Sequence, residues 1–100
     1  MQNARTEAAA GRFANSAATI ERALRIEPRN PRLWHELARV RLKQGEYAQA
    51  ESVAARSNSW AGTDNTLRAE NWRLIAESRE ARGDPGGAQK ALETAGKIGR

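Results

Sequence analysis

The stretch LWHELARVRLKQGEYAQA (residues 33–50) returns in altered form as NWRLIAESREARGDPGGAQKA (residues 71–91). Counting from Trp34, Leu37 and Ala38 follow at three and four residues, Gly45 at eleven, Tyr47 at thirteen, Ala50 at sixteen and Ala54 at twenty. The same offsets from Trp72 fall on Ile75, Ala76, Gly83, Pro85, Ala88 and Leu92. Stepping back 34 residues from Trp34 places the origin before Met1, yet the later offsets land on Ala4, Gly11, Phe13, Ile20 and, further on, Ala23 and Pro28. Three copies of one pattern therefore cover the chain, and recurrence at a fixed period is the mark of a repeat architecture.

Each copy reads as two helices. Apolar residues recur at helical spacing (Phe13, Ala17, Ile20, Leu24; Leu33, Leu37, Val40; Tyr47, Ala50, Val53, Ala54; Ala88, Ala91, Leu92, Ala95), and no segment alternates with the period of a strand. The breaks carry recognisable end signals. Asn30 before Pro31 and Asp84 before Pro85 are cap-then-proline starts. Gly11, Gly45, Gly62 and Gly83 stand where a helix ends and the backbone turns left-handed. The expectation is six helices with very short turns, which forces neighbours to run antiparallel. The first helix would span residues 1–10, and the fifth would begin early, near Asn65. Copies two and three lie 38 rather than 34 residues apart, and four extra residues make about one helical turn.

Composition supports this reading and restricts function. Only 39% of the residues are apolar, with many alanines and few large side chains, so the core must form by close helix packing. Cysteine is absent, which removes disulfides, thiolate metal sites and thiol nucleophiles. No apolar run approaches the roughly 20 residues of a membrane span, and the opening MQNARTEAAAG has no apolar core of a signal peptide. The formal charge is +5, with fourteen Arg against three Lys. Because twelve acids are interspersed, the charges read first as a solvated helical surface.

HELAR (residues 35–39) has Arg39 where a zinc HExxH motif needs its second His. The AGKIG and GDPGG stretches lack the pattern of a phosphate loop. Glu77 and Glu80 share a helix face, but nothing nearby marks them as a catalytic pair. The reading is of a protein that is not an enzyme, with no cofactor and no metal.

The repeat resembles the tetratricopeptide repeat, a 34-residue helix–turn–helix with a Trp, Leu, Gly, Tyr, Ala, Phe, Ala, Pro pattern. The resemblance covers essentially the whole chain as one domain (1–100), with repeats at about 1–30, 31–62 and 65–100. It implies an all-α fold, an α-α superhelix of three antiparallel helix pairs (a TPR solenoid). Arg41 and Arg79 depart from it, standing where the family favours a large apolar residue, and their stems are expected to lie along the helices with the guanidinium reaching an acid or solvent. Ile26, Trp60 and Ile98 each lie 26 residues after an origin, so Trp60 is expected to seal a repeat junction. The family usually carries a solvating helix after its last repeat. None follows here, and exposed apolar area on the last helix would then favour a weak homodimer.

The resemblance also implies a function. First helices of tetratricopeptide pairs line a concave groove that holds peptides or partner helices. The matching positions are Arg32, His35, Arg39, Leu42 and Lys43, with Glu70, Arg73, Glu77 and Glu80. One subclass grips acidic chaperone C-termini through a Lys/Asn/Arg clamp. Met1, Arg5, Glu36, Glu70 and Leu74 occupy those positions here, and the two glutamates would repel a carboxylate. The expected partner is therefore another protein or peptide. Two alternatives stay open: a polyanion such as nucleic acid held by Arg22, Arg25, Arg29, Arg32, Arg39 and Arg41, which show no interleaved aromatics, and a self-associating assembly element. The wording of the repeats resembles small bacterial tetratricopeptide proteins, often lipoproteins, which suits the cytoplasm, or the periplasm and outer membrane if a signal segment precedes this sequence.

Overall fold

The computed structural model describes residues 2–99, with side chains from residue 9 onward. It contains five helices: α1 Gln2–Ile26, α2 Pro31–Lys43, α3 Tyr47–Trp60, α4 Asn65–Ala81 and α5 Pro85–Ile98. No strand occurs among the described residues. Helices α2 and α3 pair, α4 and α5 pair, and α3 packs on α4. Among the described residues, α1 packs on α2 alone.

The helix starts follow from single residues. Asn30 Oδ1 accepts from the amides of Arg32 and Leu33 at 3.0 and 3.3 Å, with Pro31 in the first turn. Asp64 caps α4 through Leu67 N, and Asp84 caps α5 through Gly87 N, each at 3.0 Å. Gly45, Gly62 and Gly83 have φ of 78°, 57° and 81°, which side-chain-bearing residues rarely adopt. α4 begins at Asn65, so Trp72 sits one turn deeper in α4 than Trp34 does in α2. The four extra residues are absorbed with the register kept.

The expected break at Gly11 does not form, which corrects the count of six helices. α1 runs straight through it as a 25-residue helix, and Gly11 is not among the glycines with positive φ. The difference from Gly45 and Gly83 is local. No proline or acidic cap follows Gly11, and the alanines before it favour helix, so one glycine costs the helix only about 1 kcal/mol. The α-α superhelix thus consists of two helix pairs preceded by one long helix. The expected residue 1–10 helix lies mostly outside the described side chains, and from residue 2 its backbone belongs to α1.

Ten of the fifteen buried apolar residues among those described are alanines. Ala38, Ala50, Ala54, Ala76, Ala88 and Ala91 bring α2 to α5 close together around Leu74 and Ile75. A second cluster of Ala17, Leu24 and Leu37 fixes α1, with Ile20, Leu33, Trp34 and Val40 around it. Small residues at the contacts let helix axes approach, so dispersion between backbones replaces bulky side-chain burial.

The two off-pattern arginines behave as polar clasps. Arg41 donates to Glu21 of α1 at 2.7 Å and to Gln44 at 2.9 Å. Arg79 donates to Glu51 of α3 at 2.9 Å and to the Gly87 carbonyl at 3.1 Å. Each ties its own helix to a neighbour. Trp60 departs from expectation: it is 42% exposed, and Ile26 is 83% exposed. Both end their helices, and Trp60 is covered only in part, by the Arg29 guanidinium of the turn between α1 and α2, so it does not seal a junction as a buried residue would.

Candidate functional site

The stems of α2 and α4 run side by side and enclose a groove of about 540 Å³. Arg32, His35, Arg39, Leu42 and Lys43 line it from α2, and Glu70, Arg73 and Glu77 from α4. Glu36 and Leu74 complete the lining. Glu80, also expected here, does not line it and is exposed. It stands one turn beyond Glu77, where α4 has run past the groove's end. Ala38 of α2 and Ala76 of α4 are buried in the core beside this face.

Charge in the groove is mixed and loosely paired. Arg32 lies 3.9 Å from both Glu70 and Asp64, and Arg39 lies 3.7 Å from Glu36. These contacts are longer than hydrogen bonds, and their side chains are roughly half exposed. Pairs of this kind contribute about 0–1 kcal/mol, so a ligand can displace them at little cost. Lys43, Arg73 and Glu77 form no ion pair among the described residues.

His35 differs from the other groove residues. It is 6% exposed, and its Nδ1 lies 2.6 Å from Oδ1 of the fully buried Asn71. Asn71 Nδ2 donates to Ser57 Oγ and Asn58 Oδ1, each at 2.8 Å, and Ser57 Oγ donates to the Pro31 carbonyl at 2.7 Å. With Nδ2 donating twice, Oδ1 is the acceptor, so His35 Nδ1 carries the proton. Nε2 faces the groove, 3.7 Å from Glu70. This chain of bonds links α2, α3 and α4 and leaves no buried side-chain polar atom unpartnered among the described residues.

Asn71 and Ser57 do not belong to the expected set, although the repeat marks them. Asn71 stands where the other complete copy has Leu33, and Ser57 stands where the other copies have Ala23 and Ala95. A polar residue in an apolar slot of a repeat must find a partner when buried. The sequence shows the anomaly, but the partner lies 36 residues away.

No group of three or more metal-ligating side chains occurs among the described residues.

The model of the tetratricopeptide repeat matches residues 7–69, more than half of the chain. The chain belongs to the tetratricopeptide repeat family. The solved structure of the globular C-terminal domain of P. aeruginosa LpoP is similar throughout. It is 45% identical, with a TM-score of 0.83, over 94% of this chain and 89% of that one. Comparison with curated proteins gives no match. The tetratricopeptide family match runs from α1 into the first turn of α4, and the structural likeness extends over nearly the whole chain. As a tetratricopeptide protein, this chain is a helical interaction module, with the groove between the first helices of its two complete repeats.

Proposed function

We propose that this chain is a non-catalytic adaptor whose groove between α2 and α4 holds an extended peptide or a helix of a protein partner. The observation that carries this reading is the convergence of eight groove positions on one concavity, over an apolar floor of Leu42 and Leu74. An apolar floor gives affinity by area, and mixed, weakly paired walls set orientation. The three copies act as one array in this reading, with the first supplying α1 as a buttress behind α2. The LpoP likeness supports a module that works as a globular domain within a longer protein.

A displayed random-peptide library panned against the protein should return a recurring motif. Binding of that motif should fall about tenfold or more in Arg39→Glu/Lys43→Glu, as expected for removal of groove charges that orient the ligand, and stay unchanged in Lys90→Glu on α5. A motif whose binding ignores groove reversal, or whose amide shifts cluster outside α2 and α4, would refute the groove as the site.

A further inference from the structure

One end of the helix stack differs from everything else on the surface. Antiparallel packing gathers there the last turns of α1, α3 and α5, the first turns of α2 and α4, and the two turns between them. Contacts tie these pieces together. Trp34 Nε1 donates to the Pro28 carbonyl at 2.8 Å. The Arg29 guanidinium lies over the Trp60 ring, 5.4 Å from its centre, and Arg56 lies over Trp34 at 5.2 Å.

Two properties coincide at this end. The first is charge. Residues 22–34, 56–68 and 96–99 carry seven Arg or Lys and only two acids, so the +5 of the whole chain is found here, and the remaining ten bases and ten acids cancel. Both acids are already engaged: Glu27 accepts from Asn30 Nδ2 at 3.1 Å, and Asp64 caps α4 and faces Arg32. The second is apolar exposure. Of the three large hydrophobic side chains exposed among the described residues, Ile26 and Trp60 are both at this end.

We propose that this end is a peripheral membrane-contact surface that seats on an anionic bilayer, with Ile26 and Trp60 entering the interface and the surrounding arginines meeting lipid phosphates. Seven bases complement a surface of fixed negative charge. Tryptophan prefers the boundary between headgroups and acyl chains. Ile26, an almost fully exposed aliphatic chain at the apex, gains free energy by leaving water for that boundary. A nucleic acid fits less well, because a phosphate backbone offers Ile26 nothing. Arg29 also covers the Trp60 face that a base would stack on. The contact would be peripheral, since no helix among the described residues is long and apolar enough to cross a membrane. Lys43 and Glu77 lie toward the opposite end of α2 and α4, so most of the groove stays open while this end is seated.

Flotation with vesicles of equal phosphatidylcholine and phosphatidylglycerol, against phosphatidylcholine alone, tests the proposal. The protein should float with the mixed vesicles only. Arg25→Glu/Arg29→Glu should lower the bound fraction about tenfold, as expected for reversing two charges near an anionic surface, and Lys90→Glu should not. Brominated lipid should quench tryptophan emission in the native chain, and Trp60→Phe should abolish that quenching while its helical circular dichroism is unchanged. No flotation at low salt overturns the proposal. So does flotation without Trp60 quenching, or a short DNA duplex that binds more tightly than the mixed vesicles; the latter would make this end a polyanion site.

Discussion

Asn71 is the residue on which the interior polarity of this protein depends. It is completely buried and holds His35 of α2 and Ser57 of α3, two of the helices packed beside α4. Truncating it to alanine leaves the His35 Nδ1–H buried without an acceptor and opens a small cavity. Asn71→Ala should therefore lose on the order of 3 kcal/mol of stability, read as a lower urea midpoint at unchanged slope. His35→Phe/Asn71→Leu removes both polar partners and keeps volume, so it should be no less stable than the single variant. If the double variant is the worse of the two, the network contributes more than satisfied burial. The anomaly of an asparagine in a leucine slot was legible in the sequence, but what it bonds to was not.

At the scale of elements, two glycines that look alike in the repeat have opposite roles. Gly83 turns the chain at φ 81° between α4 and α5, whereas Gly11 lies inside α1 with open space around its would-be Cβ. Gly11→Ala should stabilise the protein by about 0.5–1 kcal/mol by favouring helix. Gly83→Ala should destabilise it by about 1–2 kcal/mol, the strain of a left-handed Cβ. Thermal unfolding of the two variants side by side decides the matter. A loss of stability in Gly11→Ala would mean that the chain turns at Gly11 after all. Helix ends with several agreeing signals, such as Asn30–Pro31, Asp84–Pro85 and the Gly45 turn, form where the sequence places them. Gly11 carries one signal without the others, and the helical preference of its neighbours wins.

Across the whole molecule, stability is graded along the stack. α4 touches α2, α3 and α5, whereas among the described residues α1 touches only α2. Stacked helices gain most of their stability from neighbours, so opening should be easiest where neighbours are fewest. Native-state hydrogen exchange should show amides of residues 69–78 opening only with global unfolding, and those of residues 9–16 opening at a clearly smaller free energy. Uniform protection across both segments would contradict a stack buttressed by a single-sided helix. The same polarity of assembly separates two surfaces, a mixed-charge groove on the inner face and a basic, apolar end.

What the sequence alone determined was whatever acts within a turn or two of helix: the period, the caps at Asn30 and Asp84, the left-handed glycines, the early start of α4, and which residues of α2 and α4 face the same way. Helical periodicity places side chains on a face without reference to the rest of the fold, which is why the groove positions are readable, and why Glu80, whose angle is right, stands outside the groove by height alone. The tertiary structure decided what depends on residues far apart in the chain. It buried His35 against Asn71, left Ile26 and Trp60 at the rim, ran α1 through Gly11, and collected Arg29 of one turn and the arginines of the adjoining helix ends onto one surface. Local propensity operates over a few residues, whereas burial, pairing and net surface charge are set by neighbours that only the packed helices bring together.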